Sequence, residues 1–249
     1  MRKNINIDHF PRTYRTSSKA YLVVPYFLDE ILIGSLLGDL YVNKRSNNAN
    51  SRLEFKQSIK NRIYIEHLYS LFQDYCSSRP RIETIILKSQ PGKEYKSIRF
   101  NTLTLPCFNY YWYLFSKFDG IKYNKIIPTN LSELLTPVGL AYWIMDDGTK
   151  MSGSNGLVLC TESFTLEEHY ILIEVLKTNF NLDCNIQESS RNRIYIQSKS
   201  RDKLLDLVKH NILPHFHYKL YIYNFKFNNP LLLFINLLLL HFITNNKTI

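Results

Sequence analysis

The chain has 249 residues and a formal net charge of +10, with 45% hydrophobic and 14% aromatic side chains. The hydrophobic fraction excludes a disordered chain, the length allows one large domain or two small ones, and the basic balance points to a polyanionic partner, above all nucleic acid. The four cysteines form no C-x-x-C pair, which argues against a zinc or redox motif and fits a reducing compartment.

Residues 1–24 are polar and basic and read as an N-terminal arm, in which Asp8 interrupts any transit-peptide pattern. The stretch VVPYFLDEILIGSLLGDLYV, residues 23–42, is almost continuously apolar and long enough to predict a buried helix. KRSNNANS follows as a loop, RLEFKQS (52–58) alternates as a strand, and NRIYIEHLYSLFQDYC (61–76) has helical spacing. RIETIILKS and SIRFNTL read as strands about the turn PGKEYK, and CFNYYWYLFSKF (107–118) as a helix.

The same order then returns. Thr136 is an N-cap, Pro137 occupies the first helical position and Gly148 stops the helix. After the loop TKMSGSN come the strand LVLCTES and an amphipathic helix, capped by Thr165 with Glu168 closing a capping box. CNIQES and RIYIQSK form a hairpin, and RDKLLDLVKHNI a last helix. His215 and His217 read as surface or nucleic-acid-facing side chains. The apolar run LLLFINLLLLHFI (231–243), within a tail over 226–249, is too short for stable membrane insertion and is expected to pack as a terminal helix.

Helix, strand, helix, hairpin, helix therefore occurs twice with a period near 108 residues, which implies a pseudo-twofold axis. IGSLLGDLY falls opposite AYWIMDDGT, and Asp39 opposite Asp147. If these helices pack together, two carboxylates converge at carbonyl ends that are themselves negative, a cluster for which only divalent cations are expected to compensate. Mg²⁺ takes such oxygen ligands and completes its shell with water and phosphate, so the site would be half-built until a phosphodiester arrives. Gly34 and Gly38 allow close backbone approach. The second copy has Tyr142 and Asp146 there, with only Ala141 small nearby, so repeat one is expected to supply most of the close contact.

Alternation places Arg52, Glu54 and Lys56 on one strand face and Leu53 and Phe55 on the other. The same rule selects Arg99 and Asn101, Asn185 and Gln187, and Arg193, Tyr195 and Gln197 as base-reading candidates. Lys44, Arg45, Arg191 and Arg201 are assigned to phosphates.

The segments LIGSLLGDL (32–40) and LAYWIMDDG (140–148) resemble the motif of the LAGLIDADG homing endonucleases, specifically the monomeric two-repeat type encoded in organellar introns. The resemblance covers residues 25–225, divided as 25–130 and 131–225. It implies an α+β fold of two pseudo-twofold-related αββαββα repeats, forming a DNA-binding saddle with the motif helices at the repeat interface. It further implies Mg²⁺, with Mn²⁺ substituting, held by Asp39 and Asp147 and by the carbonyls of Gly38 and Asp146. Lys125 in NKIIP and Lys219 in YKL match the basic residues near the scissile phosphates, and Gln57 in FKQS the residue that orders water. Glu162 in CTESF matches as its partner where the family often carries Gln, a departure that puts equal cleavage of the two strands in doubt.

The implied activity is cleavage of both strands at a long asymmetric duplex site, read in the major groove by a monomer and promoting intron mobility. The abundance of Tyr, Phe, Asn, Ile and Lys fits AT-rich coding DNA and a mitochondrial origin, with the chloroplast as alternative. The alternative function is an intron maturase that binds its own intron RNA, with or without nuclease activity.

Overall fold

The computed structural model describes residues 19–86, 94–151, 153–187 and 192–220. The N-terminal arm up to residue 18, Arg191 and the apolar run 231–243 lie outside them. The helices are α1 (Tyr26–Leu37), α2 (Arg62–Phe72), α3 (Asn109–Phe115), α4 (Pro137–Asp147), α5 (Leu166–Phe180) and α6 (Arg201–Val208). The strands of the first half are β1 (Tyr41–Lys44), β2 (Ser51–Ser58), β3 (Arg81–Ile86) and β4 (Glu94–Asn101), followed by a short hairpin, β5 (Ser116–Phe118) and β6 (Tyr123–Lys125). Those of the second are β7 (Gly148–Lys150), β8 (Leu157–Leu159), β9 (Cys184–Gln187) and β10 (Arg193–Ile196). Two antiparallel sheets result, ordered β1-β2-β4-β3 and β7-β8-β10-β9, one per repeat, in the saddle arrangement.

α1 and α4 pack against each other at the centre. Leu28, Ile31–Leu37 and Gly139–Met145 are all buried, the signature of helices with core on every side. Each helix is placed by its ends. Thr136 accepts the amide of Gly139 at the start of α4, while Gly148 caps its end with an amide on the Ile144 carbonyl. The capping box of Thr165 and Glu168 starts α5, and Asn181, left-handed at φ 52°, ends it.

Three local expectations are corrected. The helix expected to run to residue 42 ends at Leu37, and Tyr41–Lys44 forms β1 instead. Leu40 and Val42 are buried while Tyr41 is exposed, so the apolar run changes period inside itself, where composition cannot separate helix from strand. The expected loop after α4 opens with β7. The helix expected to reach residue 118 stops at Phe115, and Ser116 opens the hairpin whose far strand carries Lys125.

The close contact between the repeats is also shared rather than supplied mostly by repeat one. A Cβ on Gly34 would meet the Gly139 carbonyl oxygen at 1.9 Å, so both helices bring a glycine to the crossing. Gly139 lies three residues before Tyr142, outside the positions equivalent to Gly34 and Gly38.

Candidate active site

Packing α1 on α4 brings Gly38–Asp39 beside Asp146–Asp147. The Asp39 amide points to Asp146 Oδ2 at 3.4 Å. Gln57 reaches in from β2, its Nε2 donating to Asp39 Oδ2 at 2.7 Å and to Asp146 Oδ1 at 3.2 Å. Asn61 Nδ2 donates to Gln57 Oε1 at 2.9 Å, and Asn61 Oδ1 meets His215 Nε2 at 3.3 Å. The buried Tyr64 hydroxyl faces Asp146 and Ser35. Asn61 and Tyr64 carried no sequence signal, because His215 and Asp146, which they meet, are remote in the chain.

The expectation that only metal ions compensate for this negative cluster is corrected. Lys125 Nζ donates to the Gly38 carbonyl at 2.7 Å. Lys219 Nζ donates to the carbonyls of Ile144, Met145 and Asp146 at 3.2, 2.6 and 3.1 Å. Each ammonium thus sits at the carbonyl end of one motif helix, where a cation interacts favourably with the helix dipole. Burial lowers both lysine pKa values, and the aspartates oppose that by favouring the charged form.

The carboxylates feel the same crowding. Burial, then the charges of Asp39 and Asp147, push Asp146 well up. Burial and Asp39 push Asp147 up to about 7, against Lys125 and Lys219. The sign follows from linkage. A carboxyl whose folded pKa exceeds its unfolded value contributes stability that is fully present below the unfolded pKa, about 4, and lost as pH rises through about 7. Metal-free protein is therefore expected to lose thermal stability between about pH 4 and 7, and Asp147→Asn to flatten part of that slope. Melting curves in EDTA across this range test it, and an identical slope in the variant would refute the assignment.

The metal-ligand assignment fits the donors. Carboxylate and carbonyl oxygens suit a hard divalent cation. Both proposed carbonyls, Gly38 and Asp146, already accept from a lysine, which leaves the Asp39 and Asp147 carboxylates as the principal donors. Among the described residues no cluster of three or more His, Cys, Asp or Glu side chains is built to enclose a metal alone.

Glu162 is placed elsewhere. Taking Asp39 with Asp147 makes Tyr41 equivalent to Thr149. Tyr41 pairs with Glu54, but Thr149 pairs with Val158, because β7 turns back two residues sooner than β1. Followed along the strands, that register sets Thr161, not Glu162, opposite Gln57. Thr161 is buried, bonded at 2.9 Å to His169 Nε2, whose Nδ1 is 2.7 Å from the Thr165 carbonyl. Glu162 instead pairs with Arg193, with Oε1 2.5 Å from its Nε. The third acid beside the Asp39–Asp147 pair is Asp146.

The polar strand faces differ between repeats. On repeat one Arg52 binds Glu54 at 2.6 Å, Asn43 Nδ2 donates to the same oxygen at 2.8 Å, and Arg99 lies 4.0 Å from Glu54 and 3.5 Å from Glu83. Lys56 and Arg81 also reach Glu83, and Arg99 donates to the Asn101 side chain. Four cations thus share two carboxylates, leaving excess positive charge on this face. Arg81 and Glu83 were missed, although RIETII alternates. Only the register pairing Arg81 with Arg99 puts them on this face.

On repeat two Arg193 pairs with Gln187 and Tyr195 with Asn185, one face of β9 and β10. The Tyr195 ring lies on Gly156, where a Cβ would come within 2.2 Å of it, and its hydroxyl is 3.2 Å from both Ser154 and Ser198. Gln197 lies just past β10, 3.5 Å from Asn185. Lys44, at the far end of β1, bonds the Tyr113 hydroxyl at 2.7 Å. Arg45 is exposed in the following turn, and Arg201 begins α6. His215 is bonded to Asn61 between the repeats, so it is not a simple surface side chain.

Comparison with known proteins places this geometry. The model of the LAGLIDADG DNA endonuclease family matches residues 29–204. The chain is 34% identical over 209 residues to a probable intron-encoded endonuclease 1 of Wickerhamomyces canadensis, covering 81% of this chain and 87% of that protein. It is 34% identical over 200 residues to cytochrome b mRNA maturase bI2 of Debaryomyces hansenii, covering 77% and 72%. Among solved structures it matches the homing endonuclease I-WcaI bound to its DNA recognition sequence, with TM-score 0.73 and 33% identity, over 81% of this chain and 89% of that one.

Proposed function

Since the chain belongs to the LAGLIDADG DNA endonuclease family, we propose that it is a site-specific, divalent-metal-dependent homing endonuclease that cuts both strands of a long asymmetric duplex and promotes the mobility of its own intron. The convergence of Asp39, Asp146 and Asp147 at the ends of the two packed motif helices is the observation that carries this reading. Mg²⁺ ions held by Asp39 and Asp147, with Mn²⁺ able to substitute, would act as Lewis acids on the attacking and leaving oxygens.

The chain's own groups do the rest. Lys125 and Lys219 keep positive charge at the carbonyl ends of the motif helices, where it offsets charge developing on the scissile phosphates. Gln57, fixed by Asp39 and Asn61, presents its amide where attacking water must be ordered. Arg52, Lys56 and Arg99 on one sheet, and Asn185, Gln187 and Arg193 on the other, read base edges, while Lys44, Arg45, Arg191 and Arg201 grip phosphates. Unlike faces on the two repeats suit a non-palindromic target bound by a monomer, and an organellar intron, mitochondrial in first place, is the source.

The test is cleavage of a randomised or genomic duplex library by the purified chain in Mg²⁺ and in EDTA. Recurrent ends at one sequence in Mg²⁺ alone are expected. Folded protein that binds DNA with steep salt dependence yet never cuts it would overturn the nuclease reading. The second reading, an intron maturase acting on its own RNA, is favoured by the 34% identity to the maturase. Splicing needs no metal at Asp39 and Asp147, so Asp→Asn changes there should spare it while abolishing cleavage.

A further inference from the structure

Asp146 is the pseudo-twofold counterpart of Gly38, and the two do opposite things. Gly38 leaves a hollow that the Asp146 side chain fills. A Cβ there would lie 2.5 Å from Asp146 Cβ. From that hollow the carboxylate turns both oxygens onto the other repeat, Oδ2 toward the Asp39 amide at 3.4 Å and Oδ1 toward Gln57 Nε2 at 3.2 Å. Gln57 is held at its other end by Asn61, which His215 of repeat two steadies in turn. Among the described residues the reverse arrangement is absent. Gly38 has no side chain to send across, and Thr161, at the register position of Gln57, is turned inward onto His169.

We propose that Asp146 is a positioning residue acting across the pseudo-twofold. With Gln57 it clamps the Asp39 half of the site before DNA arrives, while among the described residues the Asp147 half has no corresponding clamp from the other repeat. The two strands are then nicked at different rates, and Asp146 governs only one of them. The inference rests on the nuclease reading for its kinetic part and on geometry alone for the clamp.

Two readouts test it. With selective ¹⁵N-glutamine labelling in EDTA, the Gln57 side-chain amide, identified by its loss in Gln57→Ala, should be shifted and exchange-protected in the wild type and measurably shifted and less protected in Asp146→Ala, where only the bond to Asp39 remains on its nitrogen. With each strand labelled separately in Mg²⁺, Asp146→Ala and Gln57→Ala should slow nicking of the same single strand by about 10–100-fold relative to the other, the usual effect of losing a group that holds a metal ligand in place. Asp146→Asn, which keeps one acceptor, should fall between. An unchanged Gln57 amide, or equal slowing of both strands, overturns the proposal. A wild type that cuts no DNA would sink the nuclease reading and the strand bias with it, while the amide measurement still decides the clamp.

Discussion

Asp39→Asn and Asp147→Asn should each lower cleavage by about a hundred- to a thousandfold while leaving DNA affinity in EDTA close to that of the wild type. Charge stabilisation at a reacting phosphate is lost with either carboxylate, and removing one such preorganised group typically slows the chemistry by about 10²–10³-fold. Binding should be spared because the groups proposed to meet the duplex lie on the strands, not at the helix ends. Asp147→Asn should also raise the melting temperature of the metal-free protein above pH 7, because it removes a half-buried charge that Asp39 repels. Loss of activity with gain of stability is the expected signature of a strained functional group rather than a structural one. Cleavage within tenfold of wild type in either variant would show that these aspartates do not carry the reaction.

The largest loss of stability is expected at Gly34. An alanine there would place Cβ 1.9 Å from the Gly139 carbonyl oxygen, a backbone atom of a central helix that cannot rotate away. Overpacking commonly costs about 1–3 kcal/mol, and here the helices must separate where their burial is greatest, so about 3 kcal/mol or more is expected despite the gain of about 1 kcal/mol in helix propensity. Gly139→Ala should cost less, since its nearest contacts are 3.0 Å to the Glu30 carbonyl and 3.1 Å to a Leu135 methyl. Urea midpoints of the two variants give the comparison. A Gly34→Ala protein as stable as the wild type would mean that the crossing is looser than described.

Much of this was legible in the chain. LIGSLLGDL and LAYWIMDDG each join a buried run to a terminal acid, and the caps at Thr136, Gly148 and Thr165 depend on neighbours within a few residues. Alternation in RLEFKQS sorts Leu53 and Phe55 inward and Arg52, Glu54 and Lys56 outward, as the burial of β2 has it. Less legible were β1, β5 and β6, where apolar or aromatic runs continue through a change of backbone and periodicity loses its meaning. Glu162 illustrates a further limit. FKQS and CTES look alike, but β7 turns back two residues sooner than β1 and so moves the register, which only strand pairing reveals.

By itself, then, the sequence determined the duplication, the two motif helices, the facing acids Asp39 and Asp147 and the basic, alternating strands, all encoded within short windows. Tertiary structure alone decided which groups surround those acids. Lys125 reaches Gly38 across 87 residues, Asp146 meets the Asp39 amide across 107, and His215 meets Asn61 across 154. Contacts of that separation depend on how α1 seats against α4 and on the register of each sheet, and both follow from packing the whole core rather than from any local preference of the residues concerned.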